Sequence, residues 1–233
     1  NVVVTTGHPD IGGSRASIPN ITAELLGIDY DKVSVLIGDT ATIGYSNLTG
    51  GSRVLFASAM VVTESAKIVI KQLKQRAAKI WGIDEEAIDW ENGEARPAGD
   101  NAGKFAPLTL AELAEKATAT GGPIGAGYQV NTEGAEGGFA THICDVEVDM
   151  DLGIVRVKRY TSIQDVGKAI HPDYVEGQLH GGCVQGIGWA LSEEYIYNKD
   201  GHLDNTGFLD YRRPVCSDLP MLDTVLIEIP NPK

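Results

Sequence analysis

The chain has 233 residues and a net charge of −13, with 42% hydrophobic and 22% charged residues. This length allows one large domain or two small ones. The acidic balance argues against a nucleic-acid partner, because phosphate binding requires clustered Lys and Arg. No apolar run approaches the roughly 18 residues of a membrane-spanning helix, so we expect no membrane span.

The first eighty residues read as alternating strands and helices. The pattern predicts a strand over 1–6, a glycine-rich turn over 7–13, a helix over 14–26, a strand over 32–37, a loop over 38–49 and a long helix over 53–80. Pro19 is expected to kink the first helix or to move its start.

The rest of the chain begins with a hairpin over 87–97, marked by the turn signal Asn92-Gly93. Thr109 and Glu112 have capping-box spacing and predict a short helix over 109–117. We expect two hairpin strands over 139–149 and 154–164, a helix over 172–194, and short strands over 194–197 and 224–228. These elements predict an α+β fold with mixed sheets and long helices.

A local rise in glycine content indicates where the chain is divided into subdomains. The glycine-rich connection over 118–127 is the best candidate for a boundary between subdomains 1–120 and 125–233. Both ends of the sequence are strand-like, which leads us to expect a fragment of a longer protein.

The predicted helix over 172–194 is unusually rich in glycine, with Gly177, Gly181, Gly182, Gly186 and Gly188. Each glycine in a helix costs about 1 kcal/mol relative to alanine, so a bare face predicts that a backbone or a ligand approaches it. Gln178 and Gln185 are seven residues apart and project from one side of the helix. Their amides offer donors and acceptors that suit a polar heterocycle.

Glycine-rich turns open three of the predicted helices, where free N–H groups favour an anion. The segment Thr49-Gly50-Gly51-Ser52-Arg53 is the best such site, because it adds two hydroxyls and a guanidinium. One Gly-Gly turn is explained better by tight helix–sheet packing than by a ligand, whereas three in one chain favour a ligand. No turn matches a P-loop or a dinucleotide-binding fingerprint.

Histidines and cysteines give weaker signals. The histidines lack zinc-site spacing, and most are expected to be structural, with His8 and His180 the best exceptions. The chain has three cysteines, far apart and without a CxxC pair: Cys144, Cys183 and Cys216. This spacing excludes an iron–sulfur or zinc site made by this chain alone. Free cysteines favour a reduced, cytoplasmic setting. Cys183, on the glycine-rich face, is expected to be a small buried residue rather than a nucleophile.

Several segments together resemble the molybdenum-binding subunit of the xanthine dehydrogenase and aldehyde oxidase family. They cover nearly the whole chain in the order and spacing of the family. The matching segments are Thr22-Ala-Glu-Leu-Leu-Gly-Ile28, Gly38-Asp-Thr40, Thr49-Gly-Gly-Ser-Arg53, Asp145-Val-Glu-Val-Asp149, Asp165-Val-Gly167, Glu176-Gly-Gln178, Val184-Gln-Gly-Ile-Gly188, Phe208-Leu-Asp-Tyr-Arg212 and Ser217-Asp-Leu-Pro220.

The resemblance implies the second molybdopterin-binding domain of such a subunit. Its cofactor would be a molybdenum–pyranopterin, in many members a cytosine dinucleotide, held by glycine-rich segments. The implied reaction is hydroxylation of aldehydes or N-heterocycles, small-molecule substrates, with water as the oxygen source. The implied partners are the rest of the molybdenum subunit and the domains or subunits that carry [2Fe–2S] clusters and FAD.

The resemblance also assigns residues. Gln185 matches a glutamine beside the pterin, with Gln178 as a second candidate, and Thr49–Arg53 match a loop along the cofactor. Gly12 and Gly13 stand in the turn where the family has Gly-Gln-Gly, so a contact there would use backbone amides. The catalytic glutamate of the family lies in a Gly-Val-Gly-Glu segment that residues 1–233 lack, and Glu228 does not match it. We therefore expect this chain to be inactive alone.

Two other functions remain open from the sequence. One is a non-catalytic assembly or binding module that uses the glycine faces for protein contacts. The other is a phosphate or nucleotide binder unrelated to molybdenum, which would bind a nucleotide without further segments.

Overall fold

The computed structural model describes residues 1–43, 45–132 and 137–230. These form two compact units, Asn1–Glu133 and Gly134–Lys233. Both units mix helices with small sheets, which confirms the predicted α+β class. The narrower expectation of subdomains 1–120 and 125–233, part of which lies outside the described residues, stays a prediction.

The first unit begins with a strand–helix–strand segment. Strand β1 (Val2–Thr6) pairs in parallel with β2 (Val33–Ile37), and helix α1 (Ser14–Leu26) connects them. Helix α2 (Val54–Trp81) has 28 residues and packs along α1. Pro19 lies inside α1, which still begins at Ser14 as predicted.

A three-stranded sheet packs against the C-terminal half of α2. It contains β3 (Ile88–Glu91), β4 (Glu94–Pro97) and β5 (Leu108–Thr109), followed by the short helices α3 (Leu110–Glu115) and α4 (Ala117–Thr120). The core of this unit consists of small and branched side chains: Leu73, Ala77, Ile88, Ala95, Leu108 and Leu113. The predicted hairpin turn at Asn92-Gly93 and the capping box of Thr109 with Glu112 are both present.

Two glycines bring the end of α1 onto the hairpin turn. Gly27 and Gly93 both have positive φ, at 69° and 77°. A Cβ on Gly93 would lie 2.5 Å from the carbonyl oxygen of Gly27, so neither position admits a side chain without a backbone shift. Nearby, Trp90 Nε1 donates to the carbonyl oxygen of Leu26 at 3.1 Å. The hairpin is thereby held against the C-terminus of α1.

The predicted connection over 118–127 is part of the first unit. Arg76 donates to the carbonyl oxygens of Thr120 and Gly121, and Gln72 pairs with the main chain of Gly125. These bonds fix the segment along α2, because they satisfy carbonyl groups that follow the last helical turn.

The second unit is built on a three-stranded sheet of order β6–β7–β8. Strands β6 (Ala140–Asp149) and β7 (Ile154–Asp165) form the expected antiparallel hairpin, and β8 (Leu222–Ile227) pairs with β7 in parallel. Helix α5 (Pro172–Leu191) contacts β7 and β8. The predicted strand over 194–197 is reduced to a single bridge between Tyr197 and Leu203. No helix in the described part of the chain is long and apolar enough to cross a membrane.

Candidate functional site

Helix α5 has two distinct faces. One face is exposed and carries Gly177, Gly181, Gly182 and Gly186 together with the two predicted glutamines, Gln178 and Gln185. Apart from the helix's own backbone, a Cβ added at any of these four glycines meets no atom of the described residues within 4 Å. The glutamines lie within about 20° of each other around the helix axis. This surface, which we call the glycine–glutamine face, admits a flat ligand close to the helix backbone.

Gly188 lies within about 20° of Gly181 around the helix axis but is not open like the other four glycines. It is buried, and a Cβ there would lie 2.7 Å from Pro214 Cδ. This glycine is required because the chain after α5 folds back against the helix.

Cys183 also lies away from the glycine–glutamine face, contrary to its expected place among the glycines. It is 5% exposed and its Sγ lies 3.9 Å from His142 Nδ1 on β6. The helical period explains the correction, because residue 183 projects about 160° away from residue 185. Cys183 is buried, as expected, but the imidazole beside it was missed because 41 residues separate the two.

The segment 49–53 precedes α2 with unusual backbone angles. Gly51 has φ 66° and Ser52 has φ 59°, whereas Arg53, the N-cap, is right-handed at φ −87°. A left-handed residue followed by a right-handed one directs successive N–H groups into one concavity, which favours an anion. Among the residues that the structure describes, no side chain caps this helix, so the N–H groups of its first turn have no side-chain acceptor there.

The turn at Gly12 and Gly13 differs in this respect. Both glycines have positive φ, at 66° and 80°, and lead into α1. Asp10 Oδ1 accepts a hydrogen bond from Arg15 N at 3.0 Å and contacts Ser14 Oγ at 3.3 Å. A carboxylate, itself paired with the Arg15 guanidinium at 3.2 Å, therefore already uses this N–H at the N-terminus of α1, and that donor is not available to another anion.

Polar side chains meet near the start of α2 within the first unit. His8 Nδ1 is 2.9 Å from Ser46 Oγ, and Arg53 Nη2 donates to Thr132 Oγ1 at 3.1 Å. Burial, with a smaller contribution from the positive charge of Arg53, lowers the pKa of His8. Both effects favour the neutral imidazole of His8, which is able to accept or donate a hydrogen bond without adding positive charge.

His8, Ser46 and Arg53 border a cleft of about 1190 Å³ in the first unit. Its walls are β1, one side of α2 and the extended segment 124–131. Ser58 Oγ is buried on α2 without a hydrogen-bond partner in the described structure. The lining of the cleft is mixed, with polar and apolar side chains, and His8, Ser46 and Arg53 lie toward the end where α2 begins.

The predicted site residues fall into two groups. Gly12, Gly13 and Thr49–Arg53 belong to the first unit, and Gln178 and Gln185 belong to the second. Within the described ranges, no three His, Cys, Asp or Glu side chains are grouped closely enough to hold a metal ion.

Comparison with known proteins identifies the family. Residues 1–220 match the family model of the molybdopterin cofactor-binding domain, and the chain belongs to this family. This confirms the family that the sequence motifs indicate.

Two curated relatives and one crystal structure illustrate the likeness. The nicotine 6-hydroxylase large subunit of Paenarthrobacter nicotinovorans is 30% identical over 99% of this chain and 29% of its own length. The xanthine dehydrogenase molybdenum-binding subunit of Escherichia coli O157:H7 is 28% identical over 99% of this chain and 31% of its own length. Quinoline 2-oxidoreductase from Pseudomonas putida 86 matches with a TM-score of 0.84 and 29% identity, over 99% of this chain and 30% of that one. The chain spans less than a third of each.

Proposed function

We propose that this molybdopterin cofactor-binding domain holds a molybdenum–pyranopterin for a hydroxylase that acts on an aldehyde or an N-heterocycle, with water as the oxygen source. The observation that carries the proposal is the glycine–glutamine face of α5. When bound, the cofactor supplies the two-electron redox chemistry at molybdenum.

The glycine–glutamine face fits a pterin in shape and in chemistry. Four glycines leave open space above the helix backbone, so a fused ring can approach it. The exposed amides of Gln178 and Gln185 each provide two donors and an acceptor for the polar edges of such a ring. Their role is to orient the cofactor rather than to transfer protons, because an amide does not titrate near neutral pH.

The segment 49–53 fits a phosphate group of the same kind of cofactor. Its convergent N–H groups favour an anion, and Arg53 adds a positive charge in an otherwise acidic chain. This supports a cofactor that ends in a cytosine dinucleotide, which brings further phosphate. The turn at Gly12 and Gly13 is the weaker contact, because Asp10 already caps α1.

The proposed hydroxylase includes components outside these residues. The resemblance supports a molybdenum subunit that works with [2Fe–2S] and FAD domains or subunits in the cytoplasm. It also supports a catalytic glutamate in a Gly-Val-Gly-Glu segment, which the sequence 1–233 does not contain. Glu228 is unsuited to that task, since its carboxylate accepts from Ala169 N and pairs with Lys168. We propose that residues 1–233 alone do not turn over substrate.

The test measures cofactor and activity separately. The full-length protein is assayed for molybdenum by mass spectrometry, for pterin by fluorescence after oxidation, and for cytidine monophosphate released by acid. We expect all three together with aldehyde-dependent or heterocycle-dependent dye reduction, and no dye reduction by residues 1–233 alone. The full-length protein is expressed in a host that makes the molybdenum cofactor. If it then contains neither molybdenum nor pterin, the proposal is contradicted.

A further inference from the structure

Strand β1 is paired along one of its two edges. In the part of the chain that the structure describes, its sheet has two strands, and β2 is its only partner. The carbonyl oxygen of Thr6 accepts from Gly38 N, just after the end of β2, at 3.0 Å. Hydrogen-bonding directions alternate along a strand, so Val4 bonds to β2 as Thr6 does. The N–H and C=O groups of Val3 and Thr5 therefore point away from β2, along the free edge.

The free edge of β1 lacks the features that protect the edges of sheets. The sequence Val2-Val-Val-Thr-Thr6 contains no charged residue and no proline, and its register with β2 is unbroken by a bulge. Natural sheets protect a solvent-exposed edge with such features, and an edge without them pairs readily with another strand. Val3 is also 59% exposed despite its apolar side chain. These properties indicate an edge that another strand covers.

The cleft of the first unit runs along this edge. All of residues 1–8 line it, whereas no residue of β2 does. Side chains from both faces of β1 are thus included, which places the cleft beside the strand rather than over one face of the sheet. The α2 wall presents Ala57, Val61 and Ser65, small side chains at a spacing of four residues on one side of the helix. They leave room for a polypeptide backbone beside β1.

The lining of the cleft favours an uncharged occupant. Among the described residues that line it, Arg53 is the only charged side chain, and none is a carboxylate. A cation or a highly charged anion would therefore find no balancing charge along β1. Ser58 lies in the α2 wall and is 4% exposed, yet its Oγ has no hydrogen-bond partner in the described ranges. A main-chain group of an inserted segment would satisfy this hydroxyl.

We propose that the free edge of β1 is the docking site of an extended, uncharged segment of the full-length protein that lies outside residues 1–233. The segment adds a strand of about five residues beside β1 and bonds to the main chains of Val3 and Thr5. It carries apolar side chains toward Val62 and Val69, which line the α2 wall. The relatives, of which this chain covers 29% and 31%, are long enough to supply such a segment. The inference does not depend on cofactor binding.

Hydrogen–deuterium exchange of the full-length protein, resolved to single amides by electron-transfer fragmentation, tests the proposal without any variant. Val4 and Thr6 bond to β2 and are the internal control for the stability of the sheet. We expect the amides of Val3 and Thr5 to exchange at rates within about tenfold of these two, because the amides of one cooperative unit open together. Protein made in a host without the molybdenum cofactor, and protein at tenfold dilution, should give the same result.

Three exchange results overturn the proposal, each with Val4 and Thr6 still protected. Exchange of Val3 and Thr5 as fast as in an unstructured peptide would show that the edge is open. Protection that is lost without the cofactor would show that the cofactor fills the cleft. Protection that is lost on dilution would show that a second copy of the protein covers the edge.

Photo-crosslinking identifies the source of the segment. With p-benzoylphenylalanine in place of Val3 in the full-length protein, we expect a crosslink within one molecule to a peptide outside residues 1–233. The same reagent at Tyr30, which is exposed and does not line the cleft, should not yield this crosslink. Crosslinks from position 3 that reach only residues 1–233, or only a second molecule, would overturn the proposal.

Discussion

The carboxylate of Glu228 accepts a hydrogen bond from the main-chain N–H of Ala169 at 2.7 Å. This bond joins the residue after β8 to the loop that leads into α5. Lys168 Nζ lies 3.4 Å from the same carboxylate oxygen. The start of α5, and with it the direction of the glycine–glutamine face, is therefore fixed from the end of the neighbouring strand.

Glu228 makes the stability of the second unit dependent on pH. The bond from Ala169, with a smaller effect of Lys168, lowers the pKa of Glu228 below 4.5. A lowered pKa in the folded state stabilises the fold above about pH 4.5, and this stabilisation is lost as the pH falls through the folded-state value. Glu228→Gln should therefore have a lower free energy of unfolding than the wild type at pH 7. The difference in free energy between the two proteins should become smaller below pH 4.5.

Urea unfolding at several pH values checks the prediction for Glu228. Glu194→Gln is the matched control, because Glu194 is exposed in the same unit and its carboxylate makes no bond to the described residues. If the difference in free energy of unfolding between the wild type and Glu228→Gln stays constant from pH 7 to well below pH 4.5, the role assigned to Glu228 is contradicted.

Gln185→Ala in the full-length protein should lower the content of molybdenum and pterin, because the variant loses the amide that orients the cofactor. Gln178→Ala should have a smaller effect, since its match to the family is weaker. The control is Gln75→Ala, which removes an exposed glutamine from α2. Equal molybdenum content in all three variants would exclude a role for the glycine–glutamine face.

Two glycine substitutions should have opposite effects on stability. Gly181→Ala fills open space and should raise the free energy of unfolding by about 0.5–1 kcal/mol, because alanine favours the helix. Gly188→Ala should lower it, because its Cβ would lie 2.7 Å from Pro214 Cδ. Thermal unfolding measures both changes.

The same Gly181→Ala variant tests the proposed ligand surface. If a pterin lies against the helix backbone, the more stable variant should contain less molybdenum than the wild type. A variant that is more stable and fully loaded with cofactor would show that the bare face serves another purpose.

Gln72 should stabilise the first unit through its two bonds to Gly125. Nε2 donates to the carbonyl oxygen at 2.9 Å, and Gly125 N donates to Oε1 at 3.2 Å. Gln72→Ala should lower the free energy of unfolding, measured in urea, by about 1 kcal/mol. Gln75→Ala should have a free energy of unfolding close to that of the wild type. Gln72→Glu, which keeps only the acceptor, should fall between them. No difference between Gln72→Ala and Gln75→Ala would show that the segment is held by other contacts.

The sequence predicted most local elements because their signals are local. The helix of α1 was bounded by glycines, and the β3–β4 hairpin was marked by Asn92-Gly93, whose positive φ values the turn requires. The prediction of a strand over 194–197 was wrong in extent, because only Tyr197 pairs, with Leu203. A strand-like residue pattern does not by itself provide a neighbouring strand to pair with. The roles of Gln178, Gln185 and the segment 49–53 stay predictions.

By itself the sequence determined the family, the α+β class and the glutamines at a seven-residue spacing, because motif order and helical period are properties of the chain alone. Only the tertiary structure decided which glycines are open and which are packed, as with Gly181 and Gly188. It also decided that Asp10 caps α1 and that Cys183 meets His142. Such contacts depend on how the chain folds back on itself in three dimensions, and residue spacing along one strand or helix does not contain that information.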